Sequence, residues 1–197
     1  MTGFKKRLAS TALATAMTLT ALPVSVFLIS TDAAAGVPNG FAYTQGTRFM
    51  LDGSPFYYAG TNCYYLTFKS QEAVDSVFKD AEAMGLKVIR VWGNLDVGVK
   101  TGTTDSEGKP VFTNNNDGPG EKDGIYFQYF DKALGKPVTN FGEDGIKKLD
   151  YALYQAEKHG IKLLITFTNY WDAFGGMGQY VKWAEELGIT GLKKDDF

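Results

Sequence analysis

One cysteine, Cys63, and one histidine, His159, are all that 197 residues supply of either type. A lone thiol excludes any disulfide within the chain, so packing must hold the fold. There is no CxxC and no HExxH, and a single histidine at the end of an expected helix leaves little from which to build a metal centre or a histidine-based triad. No metal centre is expected. Charge of one sign is scarce too: 20 Lys+Arg stand against 22 Asp+Glu, a formal net of -2. With both signs interspersed, nothing asks for nucleic acid or an anionic membrane. Aromatic side chains, in contrast, are plentiful at 14%. Tyr and Trp join apolar faces to polar tips, which suits a carbohydrate site and an aromatic core alike.

The N-terminus reads as a targeting segment. Lys5-Lys6-Arg7 is a basic start, residues 8–29 are mostly apolar, and Ala33-Ala34-Ala35 offers small residues for cleavage before Gly36. Repeated threonines, with Pro23 and Ser25, make the run too polar for a good membrane anchor. Residues 1–35 are therefore expected to be a cleaved secretion signal, and 36–197 a secreted domain with no membrane attachment after cleavage.

Beyond the signal, Gln45-Gly46 and Asp52-Gly53 mark turns between two short strands, and a further strand is expected over 56–62. A helix follows, with Glu72 in its first turn and Val74, Val77, Phe78, Ala81 and Met84 on one face, stopped by Gly85. "LKVIRVWG" reads as a strand whose alternation sets Val88, Arg90 and Trp92 on one face and Ile89 and Val91 on the other. Residues 94 to about 140 are polar and turn-rich and read as an unusually long loop. A second helix should turn Ile146, Leu149, Leu153 and Ala156 inward, and a strand over 161–168 follows it. Val88, Leu163, Ile165 and Phe167 are expected to face a barrel interior, and a third helix is expected to begin only at "GITGLKKDDF". Strand, helix, strand, helix, strand implies right-handed βαβ units and a parallel sheet. In such α/β folds, ligands sit at the C-terminal strand ends. The ends here read "GTNCYY", "RVWGN" and "TNYWDAFGG", all rich in Asn, Tyr and Trp.

Four residues stand out. Arg90, inward on a buried strand, either makes a structural ion pair or orients a catalytic carboxylate. No acid in these strands is placed to be its partner, which puts that partner outside the sequence. Trp92 and Trp171 are either core residues or platforms for sugar rings. Asn169 either caps the segment after its strand or meets a sugar hydroxyl. "GPGEKDG" lacks the spacing and following helix of a phosphate loop.

The blocks "GTRFMLDGSPFYYAGTNCYYL", "AMGLKVIRVWG", "GIKKLDYAL" and "NYWDAFGGMGQYVKWA", in this order, resemble endo-β-1,4-mannanases of glycoside hydrolase family five from about Phe41 onward. The resemblance implies an α/β fold, the TIM (β/α)8 barrel, of which this chain supplies roughly the first three βα units. It also implies a monomeric full-length enzyme acting on β-mannan without a cofactor. Arg90 would stand beside the family's nucleophilic glutamate, Trp92 would line the cleft, and Trp171 would lie in its floor. "Asn-Tyr-Trp" departs from the family's paired asparagines, which leaves the part of Asn169 open. Retaining glycosidases need two carboxyl groups, which in this family are glutamates, one of them in an Asn-Glu-Pro sequence. No Asn-Glu-Pro occurs here, so a fragment without its catalytic glutamates, inactive alone, is expected. A β-1,4-glucanase of the same barrel and a non-catalytic carbohydrate-binding protein are the alternatives.

Overall fold

A computed structural model describes residues 36–116 and 122–196. The expected signal, and part of "GPGEKDG", lie outside the described residues. The described chain opens with an antiparallel meander, β1 (Ala42–Gln45), β2 (Arg48–Leu51) and β3 (Ser54–Pro55). Its turns fall where the glycines predict, Gly46 at φ 58° and Gly53 at φ 81°. The following strand is shorter than expected: β4 covers only Gly60–Asn62.

β4, β5 (Val88–Trp92) and β10 (Lys162–Thr166) form a parallel sheet with β5 in the middle. Between β4 and β5 runs α1 (Gln71–Ala83), whose N-cap Ser70 accepts the Ala73 N–H at 3.3 Å; such a cap stabilises a helix by about 1 kcal/mol. Val74, Phe78 and Ala81 are buried as their spacing requires, but Met84 is the C-cap and is exposed. Before β10 comes α2 (Lys147–Lys158), which buries Leu149, Ala152, Gln155 and Ala156. Leu153, expected inside, is on the exposed side of that helix.

Register decides which sheet face meets the helices. Leu163 pairs with Ile89 and Ile165 with Val91, and all four pack against Phe78, Ala156 and Ile161 beneath α1 and α2. The opposite face carries Val88, Arg90, Trp92, Lys162, Leu164 and Thr166 in matched pairs. This corrects the expectation for Leu163 and Ile165: side chains alternate along a strand, and the positions level with Ile89 and Val91 must share their helix-covered face. Val88 is inward as expected. At the N-terminal ends of the strands the meander lies against this inward face, where Tyr43, Phe49 and Tyr58 meet Val88, Lys162 and Leu164 around a recess of about 230 Å³.

The polar stretch read as a loop is largely folded. It holds a four-stranded sheet of β6 (Asp96–Thr104), β7 (Pro110–Thr113), β8 (Gln128–Asp131) and β9 (Lys136–Thr139), ordered β7-β6-β8-β9. The third helix also comes earlier than expected. α3 (Gly176–Glu186) follows β10 directly and packs on β6, with Trp183 buried against Val99 and Phe130. The Trp183 indole N–H donates to the Val97 carbonyl at 3.1 Å. Each of the three parallel strands is thus followed by a helix, the repeating unit of a (β/α) barrel.

Candidate functional site

The C-terminal ends of β4, β5 and β10 converge on an open cavity of about 410 Å³. Asn62, Arg90, Trp92 and Thr166 line it from the sheet, and Thr168, Asn169, Tyr170 and Trp171 from the segment after β10. All four residues singled out in the sequence therefore meet in one place. Asn62, Thr166, Thr168 and Tyr170 were not singled out. Their signal lies in the register, which the sequence does not carry: Asn62 is level with Arg90, and Leu164 and Thr166 face the same side as Arg90 and Trp92.

The Arg90 guanidinium donates from Nη1 to Asn62 Oδ1 at 3.2 Å. Among the described residues no carboxylate pairs with it, and no glutamate lines the cavity. Arg90 remains exposed, so its other N–H groups are open to an acceptor within the cavity. A guanidinium so placed suits bidentate binding of a carboxylate.

Trp92 is half-buried and braced from behind. Phe174 meets its ring edge-on at 4.5 Å between centroids, and Tyr64 stands at 5.4 Å. The Thr67 hydroxyl donates to the Trp92 carbonyl at 2.9 Å. Trp171 differs: it is 69% exposed, a large apolar ring presented to solvent beside polar groups, as a stacking platform would be.

The chain from Asn169 to Gly176 is shaped to hold that ring. Asn169 Oδ1 accepts the Trp171 N–H at 2.6 Å, and Asn169 Nδ2 donates to the Ala173 carbonyl at 2.8 Å. Asn169 caps this turn and also lines the cavity. Tyr170 donates its hydroxyl to Asp195, a bond that raises the phenol's pKa. Lys194 lies over the Tyr170 ring at 4.7 Å and pairs with Asp172 at 3.4 Å. From the other side, Asn116 Nδ2 donates to the Gly175 carbonyl at 3.0 Å. Gly176, at φ 56°, leaves a Cβ no space, since it would stand 2.3 Å from the Asn169 carbonyl. β10 thus leads straight into a polar aromatic turn that sets Trp171 in the wall of the cavity.

No group of three or more His, Cys, Asp or Glu side chains gathers as a metal site among the described residues. Cys63 is buried and free, and burial pushes its thiol pKa up.

Parallel strands each followed by a helix, with a polar-aromatic cavity at their C-terminal ends, define part of a (β/α) barrel, a class in which ligands sit at those strand ends. Within that class, residues 39–195 match the family described as GH family 5 beta-mannosidase-like, and the chain belongs to it. It is 43% identical over 143 residues to a probable mannan endo-1,4-beta-mannosidase F of Aspergillus oryzae, covering 72% of this chain and 27% of that one. With the mannan endo-1,4-beta-mannosidase A of Emericella nidulans it shares 38% identity over 161 residues, 77% of this chain and 37% of the relative. Among solved structures, the endo-1,4-beta-mannanase from Rhizomucor miehei superposes with a TM-score of 0.59 at 35% identity, over 80% of this chain and 36% of that one. The endo-beta-1,4-mannanase from Thermotoga petrophila gives 0.53 at 34%, over 75% and 27%. The chain thus spans roughly a third of the length of these relatives, and its fold is the first three βα units of a TIM barrel.

Proposed function

We propose that the complete protein is a secreted endo-β-1,4-mannanase, cleaving internal bonds of mannans with retention of configuration, and that residues 1–35 direct its export. The observation that carries this reading is the cavity itself: an arginine and two tryptophans converge at the C-terminal ends of parallel strands in a chain of this family. The two glutamates that retention requires lie outside this sequence, and the chain contributes one wall of the cleft.

On this reading Arg90 serves the reaction by holding the nucleophilic carboxylate ionised and oriented. Its bond to Asn62 restrains the guanidinium from one side and leaves its other N–H groups for that carboxylate. A fixed cation favours the charged form of an adjacent acid and lowers its pKa. Trp92 and Trp171 bind the polysaccharide through the C–H faces of its rings, and Asn169 and Tyr170 border the same groove. Stacking of this kind contributes to ground state and transition state alike, so it governs affinity more than turnover.

The test is hydrolysis by the complete protein of mannan and of carboxymethylcellulose, the latter a substrate of the alternative class. Reducing-sugar release from mannan well above that from carboxymethylcellulose supports the proposal. The reverse preference would make the protein a glucanase, and release from neither would leave a binding protein without catalysis.

A further inference from the structure

Asp96 opens β6 and is only 2% exposed, yet the reaction outlined above gives it no task. Neither of its carboxylate oxygens has a hydrogen-bond partner, and no Lys, Arg or His pairs with it among the described residues. Its backbone, by contrast, grips the turn that carries Trp171. The Asp96 N–H donates to the Phe174 carbonyl at 3.1 Å. Gly175, at φ 86°, passes so close that a Cβ there would stand 2.5 Å from the Asp96 Cβ and 2.3 Å from its carbonyl oxygen. Phe174 in turn braces Trp92.

The charged and titratable groups around Asp96 are few. α3 presents Tyr180, whose hydroxyl interacts with both Asp96 and the cavity-lining Thr168. The contact with Asp96 falls short of a formed hydrogen bond, since both carboxylate oxygens stay unpartnered. Lys182 on α3 is bound to the Asn115 carbonyl, and Glu186 accepts from Asn114. In the turn, Asp172 is paired with Lys194. β8 places the uncharged Gln128 opposite Asp96, and β7 carries no titratable side chain. On β6 itself, Lys100 is bound to the Tyr126 hydroxyl.

We propose that Asp96 is a positioning residue: its neutral, protonated form keeps the Trp171 turn seated, and its ionisation loosens the turn and weakens polysaccharide binding. A carboxylate without a partner cannot remain in a dry site without a large penalty. Having given its proton to bulk water, it must gain hydration, and the contacts it would disturb are those with Phe174 and Gly175. Burial raises the Asp96 pKa to about 7, against a smaller opposing influence from Tyr180, so the transition falls within the range an enzyme assay covers.

The proposal rests on the mannanase reading for its choice of ligand, and its test has one arm that does not. In the complete protein, KM and kcat on mannohexaose are measured from pH 5 to 9 for the wild type, Asp96→Asn and Tyr180→Phe. The wild-type KM rises about fivefold through neutrality, Asp96→Asn shows a flat KM with the kcat profile unchanged, and Tyr180→Phe moves the rise to higher pH. Superimposable KM profiles for wild type and Asp96→Asn overturn the proposal. The second arm is acrylamide quenching of the Trp171 fluorescence, isolated by difference from Trp171→Phe. Quenching that increases through the same pH range in the wild type and not in Asp96→Asn supports the proposal whatever the substrate. Quenching independent of pH in the wild type sinks it, even if mannan is hydrolysed.

Discussion

Arg90 and Trp171 share a cavity but bear on different quantities. The guanidinium has one bond, to Asn62, and its proposed partner is a reacting carboxylate, so its loss should appear in kcat. Lysine keeps the charge but not the planar fork, and Arg90→Lys in the complete protein should lower kcat on mannan by roughly 10²-fold, the scale of losing one preorganised electrostatic contact. A kcat within a few-fold of wild type would make Arg90 structural. Trp171→Ala removes a ring already exposed in the free protein; KM should rise about fivefold, equivalent to about 1 kcal/mol, with little change in kcat. Asp96 gives a separate prediction about stability. Its pKa is about 7 in the fold against 3.8 ordinarily, so the folded state binds this proton more tightly than the unfolded one. Its contribution is complete below about pH 4 and is lost as pH rises through about 7. The wild type should therefore lose up to about 4 kcal/mol relative to Asp96→Asn between those limits, measurable by denaturant titration at pH 4 and pH 8.

Among the elements, those with strong periodicity were legible and those built on glycine and short polar runs were not. α1 and α2 announce themselves through apolar residues three and four apart, and β5 through its alternation. β6 to β9 did not, because three of the four are only four residues long and stand among turn-forming Asn, Asp and Gly. β6, the longer one, contains two glycines, of which Gly98 is required by close approach: a Cβ there would meet the Thr113 carbonyl oxygen at 1.9 Å. Their strand character comes from pairing with one another, a tertiary effect that local propensity does not carry. α3 was hidden by the run Gly175, Gly176 and Gly178 at its start. Those same glycines make the turn after β10 possible. Gly175→Ala would force a Cβ into the Asp96 backbone at a positive φ, and should cost about 1–3 kcal/mol. Because the strain falls on the Trp171 turn, KM should rise together with the fall in melting temperature. An unchanged melting temperature would mean that the turn adapts more freely than its contacts imply.

For the molecule as a whole, the sheet faces are unequal. One is sealed by α1 and α2, while the other carries Leu164, 46% exposed, beside Arg90 and Trp92, and Phe167 beyond the end of β10 is 71% exposed. β4 and β10 each pair on one side only among the described residues. A TIM barrel covers such a face by closing eight strands upon themselves. Residues 36–197 expressed alone should therefore associate or aggregate rather than behave as a monomer. A monodisperse monomer with a cooperative thermal transition would contradict this. The sequence pointed to the three strand ends that border the cavity, although β10 stops at Thr166, two residues short of the expected end. It misassigned Leu163 and Ile165 because the more apolar face of β10 was taken for the barrel interior, whereas pairing with β5 puts that face under the helices and leaves Lys162, Leu164 and Thr166 inward.

The measurement that bears most directly on the central claim is proton NMR of mannohexaose during cleavage by the complete protein and by its Arg90→Lys variant, following the anomeric signals of the new reducing ends. Retaining hydrolysis of a β-linked chain releases the β-anomer first, with the α-anomer appearing later by mutarotation, and the variant should give the same order at roughly 10²-fold lower rate. Initial release of the α-anomer, equal rates for the two proteins, or an intact hexamer would each contradict the account.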